Sequence, residues 1–257
     1  MGIAYYDSLP NKPLVEAILE IKWGQANEPD PAYEIIVGRL YEKVRAQYPV
    51  TEKLLPITQV PADMTIHVVR HRFRVTAGGW PLVQVGPGVL TLNDTEGYQW
   101  EDFRRRALEL SPKLRESHPE PEALDITGIM LRYIDALEFD FEHHDVREFL
   151  REKLHIGVSV PETLFRDQPV FDRPTEAMLQ LGFPIATPTG RVQLNISTGR
   201  KSDRPALVWN TVLVSAGEDA RQGWSDFPAW LNSAHAILRH WFFALIEGEL
   251  LQEFMRE

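Results

Sequence analysis

At 257 residues the chain is long enough to bury a full core, as one large domain or as two closely joined halves. Its formal net charge of −10 argues against bulk nonspecific binding to nucleic acid, which rests on neutralising phosphates with lysine and arginine. The absence of cysteine excludes disulfides, thiolate metal sites and a cysteine nucleophile, and makes a reducing cytoplasm the expected location.

Met1 to Pro10 has neither a basic leader nor an apolar stretch, so no secretory signal is expected, and no run approaches the roughly 18 to 20 apolar residues needed to cross a bilayer. Residues 14 to 23 alternate, with Val15, Ala17, Leu19, Ile21 and Trp23 on one face and Glu16, Ile18, Glu20 and Lys22 on the other. Period two predicts a half-buried strand; the alternative is a helix with Glu16 and Glu20 one turn apart. Asp30-Pro31 then reads as a helix start, and Tyr33, Ile36, Val37, Leu40, Tyr41 and Val44 form an apolar stripe at helical spacing that ends before Pro49. Strand-like runs follow near 54–60, 64–76 and 81–92, punctuated by Gly78-Gly79 and Gly86-Pro87-Gly88, and a second helix is predicted from Trp100 to about Arg115.

The second half opens with a predicted strand at 126–139, after which Asp145 caps a helix running to about Leu154. Strands are predicted near 175–183, 190–198 and 206–215, with Gly199 to Arg204 as a hairpin tip. Ser225-Asp226 caps one long helix reaching Phe254, apolar over much of its circumference and therefore expected to lie in a groove.

Val15–Trp23 and Leu131–Phe139 read alike, and each opens the order strand, helix, three strands, helix. The pattern predicts an α+β fold of two tandem units, residues 1–124 and 125–257, closely packed as one globular body with antiparallel sheets and helices on one face. The design is helix-grip or saddle-like, similar at fold level only to the duplicated saddle of the TATA-binding protein, and a shared fold carries no function with it. Aligning Ile18 with Ile134 matches Glu16 to Arg132 and Lys22 to Glu138, so these opposite charges are expected to pair across the two strands, at roughly 0.2 to 1 kcal/mol each.

Phosphate loops, dinucleotide fingerprints, nucleophile elbows and His-Glu-x-x-His are all missing from the sequence, and no cofactor is expected. His67 and His71 fall on an apolar strand face and read as core, while His143-His144-Asp145 reads as a turn with a helix cap, so no metal site is expected. Arg70, Arg72 and Arg74 form a ladder of guanidinium groups about 7 Å apart, and Arg104 lies in a second arginine run beside Trp100. Arginine with aromatic neighbours suits phosphate and base recognition; the competing reading is a solvated strand face balanced by the acidic excess.

Several segments also carry a resemblance: Pro13 to Trp23, Gln84 to Asp94, Gly97 to Phe103, Leu131 to Asp135, and a terminal helix with His235, Glu247 and Glu249. Together they resemble an uncharacterised, sporadically distributed prokaryotic family of about this length. That resemblance implies a cytoplasmic protein from mobile or defence-associated genes, in a family with no assigned activity. The first expectation is thus a non-enzymatic binding or regulatory module, linked to defence or toxin–antitoxin systems. Its surface would comprise Arg70, Arg72, Arg74, Trp100 and Arg104, and its partner would be a protein, nucleotide or nucleic acid. Two rivals are a small-molecule-binding or hydrolytic pocket under a long helix, and a scaffold that forms homo-oligomers through the final helix.

Overall fold

The computed structural model describes residues 5–6, 9–24, 30–54, 67–95 and 97–256. Among them it has an α+β fold, with one nine-stranded antiparallel sheet and six α-helices. The first half supplies β1 (Leu14–Trp23), α1 (Tyr33–Val44), β2 (Val50–Lys53), β3 (His71–Arg74), β4 (Leu82–Gly86), β5 (Val89–Asp94) and α2 (Trp100–Ser117). The second supplies β6 (Ile126–Glu138), α3 (Val146–Lys153), β7 (Met178–Ala186), β8 (Thr189–Lys201), β9 (Arg204–Ala216), α4 (Glu218–Ser225), α5 (Phe227–Leu245) and α6 (Glu249–Phe254). The strand order is β2-β3-β4-β5-β1-β6-β9-β8-β7, so the opening strands of the two halves lie side by side at the centre.

Alternation along β1 buries Ala17, Leu19, Ile21 and Trp23 on the helix-covered face and leaves Glu16, Glu20 and Lys22 on the other. One core joins that face to Leu131 and Tyr133 of β6, Ile36 and Leu40 of α1, Phe103 of α2, and Trp230 and Leu238 of α5. A second core sits in the C-terminal half, where Leu150 of α3, Trp209 of β9, Phe243 of α5 and Leu250 of α6 meet. The carboxylate of Asp30 accepts from the Ala32 N–H at 2.8 Å and the Trp23 indole N–H at 2.6 Å, which ties the start of α1 to the end of β1. Asp145 caps α3 through the Arg147 N–H at 2.8 Å, as its position predicts.

Several expectations are corrected. Of the predicted strand at 64–76, only His71–Arg74 is strand among the described residues. His67 sits in a turn with φ 61° and so does not share a strand face with His71. Residues 55–66, which carry most of the predicted 54–60 strand and the start of the next, lie outside the described residues. The β8–β9 hairpin is longer than expected: both strands continue to a two-residue turn, where Ser202 and Asp203 take φ of 47° and 66°, the left-handed twist that tight hairpins require. The single long terminal helix is two helices, broken by Gly248 at φ 99°, and α4 was not anticipated. The expected pairs between β1 and β6 do not form, because the register sets Ile18 opposite Arg132, Glu16 opposite Ile134 and Lys22 opposite Gly128. Lys22 pairs instead with Glu20 at 2.8 Å, Glu138 with Arg204 at 2.7 Å, and Glu16 accepts from the Asn93 amide at 2.7 Å.

Candidate functional site

On β6, period two places Ile129, Leu131, Tyr133 and Asp135 on the helix-covered face. On α5, the spacing of Leu231, His235, Leu238 and Phe242 turns one stripe toward that face. The two patterns bring a histidine above a tyrosine and an aspartate. The Tyr133 hydroxyl lies 2.8 Å from His235 Nδ1 and 2.8 Å from the Tyr98 hydroxyl, forming a hydrogen-bonded chain of three side chains. The Trp100 ring stacks on His235 with centroids 3.6 Å apart and planes 8° from parallel. Tyr98 is held just before α2 by its N–H to the Thr95 carbonyl at 2.8 Å, and its own carbonyl accepts from Lys12 Nζ at 3.1 Å.

These groups wall a cavity of about 530 Å³ between the start of α2, the middle of α5, β6 and the segment before β1. Leu9, Leu14, Leu238, Phe242 and Phe243 give it apolar sides, and Lys12, Glu101 and Arg239 reach it with charged ones. Asp135 also lines it, at 2% exposure, and its Oδ2 has no hydrogen-bond partner. Across the ladder on β9, opposite Asp135 and Tyr133, the Trp209 indole N–H and Thr211 hydroxyl are likewise buried without partners. An unpaired buried polar group costs about 1–3 kcal/mol, so this floor is not built for stability alone.

Burial sets the protonation of the site. It pushes the Asp135 carboxyl up to about 8, against the opposing charge of Lys201. The same desolvation, helped by the charge of Arg239, lowers His235 to about 4. Burial also raises the Tyr98 and Tyr133 hydroxyls. At neutral pH the floor therefore presents a carboxylic acid, a neutral imidazole and two phenols: hydrogen-bonding groups without formal charge.

The arginines singled out from the sequence lie elsewhere. Arg72 and Arg74 project from the opposite face of the sheet to Phe73. Arg72 donates to the Gln84 amide oxygen at 2.8 Å, and Gln84, Asn93 and Glu16 continue that hydrogen-bonded row across β4, β5 and β1. Arg74 is 8% exposed, pairs with Glu52 at 2.8 Å, donates to the Gly79 carbonyl at 3.0 Å and lies over the Trp80 ring. Arg70 lies over the Tyr33 ring at 5.7 Å. Arg104 donates to Asn232 at 2.6 Å and braces α2 against α5. Of the five residues, only Trp100 reaches the cavity.

Sequence reasoning missed Tyr98, Tyr133, Asp135 and His235. The available signal was Asp135 itself, an acid in phase with the apolar residues of its strand. Pro13-Leu14, Tyr98 to Glu101, Tyr133 with Asp135, and His235 all line the cavity.

Among the described residues no group of three or more histidines, aspartates or glutamates is placed to hold a metal ion, and no helix is long and apolar enough to cross a membrane. No family model matches the chain, and no curated protein is similar to it. Among solved structures, Methanococcus jannaschii TBP aligns over 87% of this chain and 99% of its own at 10% identity, with a TM-score of 0.25. A likeness at that level carries no argument about function.

Proposed function

We propose that the protein is a non-enzymatic small-molecule-binding module whose ligand occupies the cavity between α2 and α5. One observation carries this reading: a fully buried carboxyl group, lacking a hydrogen-bond partner on one oxygen, lines a cavity with apolar walls. The same electrostatics favour binding over hydrolysis. A protonated acid, an imidazole that holds its proton only below about 4 and raised phenols offer no ionised nucleophile and only a weak base near pH 7. The arginine face competes less well as the working surface, because the guanidinium groups of Arg72 and Arg74 are already engaged with Gln84, Glu52 and Gly79.

We infer further that the two halves are copies of one unit. Support comes from the strand order, in which the last strand of each half, β5 or β9, returns beside the first, β1 or β6. The N-terminal half has five strands and the C-terminal half four among the described residues.

The binding reading is tested by thermal-shift screening of a broad metabolite set with the full chain. A ligand at 100 times its Kd adds about 2.7 kcal/mol to stability, which raises Tm by several degrees. The shift is expected to vanish in Trp100→Ala while far-UV circular dichroism stays unchanged. A protein that no compound stabilises, and from which denaturation releases no small molecule, would overturn the reading.

A further inference from the structure

We propose that two copies of this chain pair edge to edge through β7, extending the sheet across a twofold axis. β7 ends the strand order among the described residues, with β8 on one side and no strand on the other. The Thr198 N–H donates to the Ala177 carbonyl at 3.0 Å, and the β7–β8 register then runs without a shift from Met178–Ser197 to Ala186–Thr189. Period two therefore turns the backbone groups of Leu179, Leu181, Phe183 and Ile185 towards β8. Those of Met178, Gln180, Gly182, Pro184 and Ala186 face outward. Pro184 fits this phase, since its missing donor falls on the open side.

Proline aside, this edge lacks the usual guards against pairing. No charged residue occurs from Ala177 to Gly190, whereas β2, at the other end of the order, is four residues long and carries Glu52 and Lys53. Only Leu179 and Ile185 of β7 are partly covered; Met178 is 89% exposed and Phe183 45%. Eight of the twelve large apolar side chains exposed among the described residues fall between Val158 and Phe183, so apolar exposure concentrates in β7 and the segment leading into it. The final helix is not free for association, because Leu250, Leu251 and Phe254 are spent in the second core.

Charge and symmetry select a second copy as the occupant. At a net charge of −10, two copies repel over most of their surface and approach most easily along an uncharged strip. An antiparallel strand is also its own complement about a twofold axis. With Gln180 on that axis, Gln180 meets its counterpart and Met178 meets Gly182 of the second copy, each pair exchanging both backbone bonds, while Pro184 stays outside the ladder. On the helix-covered face, where Phe183 meets the Trp241 ring of α5, this register sets Leu181 opposite Leu179 of the second copy. Nine residues at about 3.3 Å each give a contact about 30 Å long. It buries on the order of 500 Å² per copy, the low end of specific interfaces, which suits a reversible dimer.

The test is sedimentation velocity of the full chain over a concentration series at low ionic strength. The wild type is expected to dimerise reversibly, with a Kd in the micromolar range. Gln180 is exposed and belongs to neither core, so Gln180→Lys and Gln180→Glu should fold as the wild type does. Each sets like charges opposite one another on the axis and should weaken self-association at least about fivefold. Mixed in equal amounts, the two variants should form a heterodimer tighter than either homodimer, and added salt should weaken it. Residue-resolved hydrogen exchange should show the Gln180 and Gly182 amides slowing as the wild-type dimer forms. A wild type that stays monomeric at every concentration overturns the proposal, even if the edge captures an extended peptide from another protein. A dimer indifferent to both charges lies on another surface and overturns it as well. Dimers lost in both variants and not restored in the mixture overturn the register about Gln180.

Discussion

Asp135 changes how folding depends on acidity. Its carboxyl titrates near 8 in the folded chain against an ordinary value of 3.8. Below about pH 4 both folded and unfolded states hold the proton, and the contribution to stability is complete. As pH rises from 4 towards 8 the unfolded chain releases the proton while the folded one keeps it, so stability falls across that window. His235 acts in the opposite sense over part of it. Lowered to about 4 from 6.5, it contributes stability that is present above 6.5 and lost as pH falls through 4. Comparing the wild type with Asp135→Asn cancels the histidine effect, because both proteins keep it. Urea unfolding at pH 5 and pH 8 should show the wild type losing stability relative to the variant, on the order of 1 kcal/mol per pH unit. An unchanged difference would mean that Asp135 is ionised in the native state. At the same scale, Tyr133→Phe leaves the Tyr98 hydroxyl and His235 Nδ1 without their shared partner and should cost about 1–3 kcal/mol by the same assay.

Two helix glycines separate propensity from packing at the scale of the element. Gly38 is exposed on α1, and a Cβ added there would meet nothing within 4 Å. Gly38→Ala should therefore stabilise by up to about 1 kcal/mol, the propensity difference in a helix interior. Gly223 lies on α4, where an added Cβ would come to 2.6 Å from Trp230 Cδ1 and 2.7 Å from Ile129 Cδ1. The indole has little room to retreat, since its N–H donates to the Ser215 hydroxyl at 2.9 Å, and that hydroxyl in turn donates to the Thr189 carbonyl at 2.6 Å. Gly223→Ala should destabilise by about 1–3 kcal/mol despite the propensity gain. Opposite signs in urea midpoints are the expected outcome; a stabilised Gly223→Ala would show that α4 can slide on β6.

The same contrast explains how much was legible in the sequence. Helices α1, α2 and α3 and strands β1 and β6 follow from local periodicity and caps, and the sequence places each within a few residues of its observed limits. Antiparallel register is not local. The alignment that paired Glu16 with Arg132 assumed that matching motifs meet residue for residue, whereas the register sets Glu16 opposite Ile134 and Arg132 opposite Ile18, and Glu16 accepts from Asn93 instead. The cavity was illegible for a related reason. Tyr98, Tyr133 and His235 are far apart in the chain and each is ordinary in its own element; only the crossing of α5 over β6 makes them neighbours. The arginine ladder stood out because alternation is visible in the sequence, while the residues that engage it, Glu52 and Gln84, come from the flanking strands.

For the whole molecule, the sheet passes without a break from one half to the other through β1 and β6, and the main core draws side chains from Ala17 to Leu238. The N-terminal segment ties the ends together as well: Leu9 belongs to the C-terminal core, and the Asn11 N–H donates to the Phe254 carbonyl at 3.0 Å. Residues 1–124 alone would leave the β6 side of β1 as an open edge and would remove Trp230, Leu231 and Leu238 of α5 from the core they share with Leu19 and Phe103. The full chain is thus expected to unfold in one cooperative transition, with calorimetric and van't Hoff enthalpies in agreement. The isolated 1–124 fragment should give a collapsed amide spectrum, because β1 keeps its alternating apolar face while losing its partner strand β6 and the core loses the side chains of β6 and α5. A fragment with dispersed resonances and its own sharp transition would show that each half folds independently, and the central strand pair would then be an interface between domains.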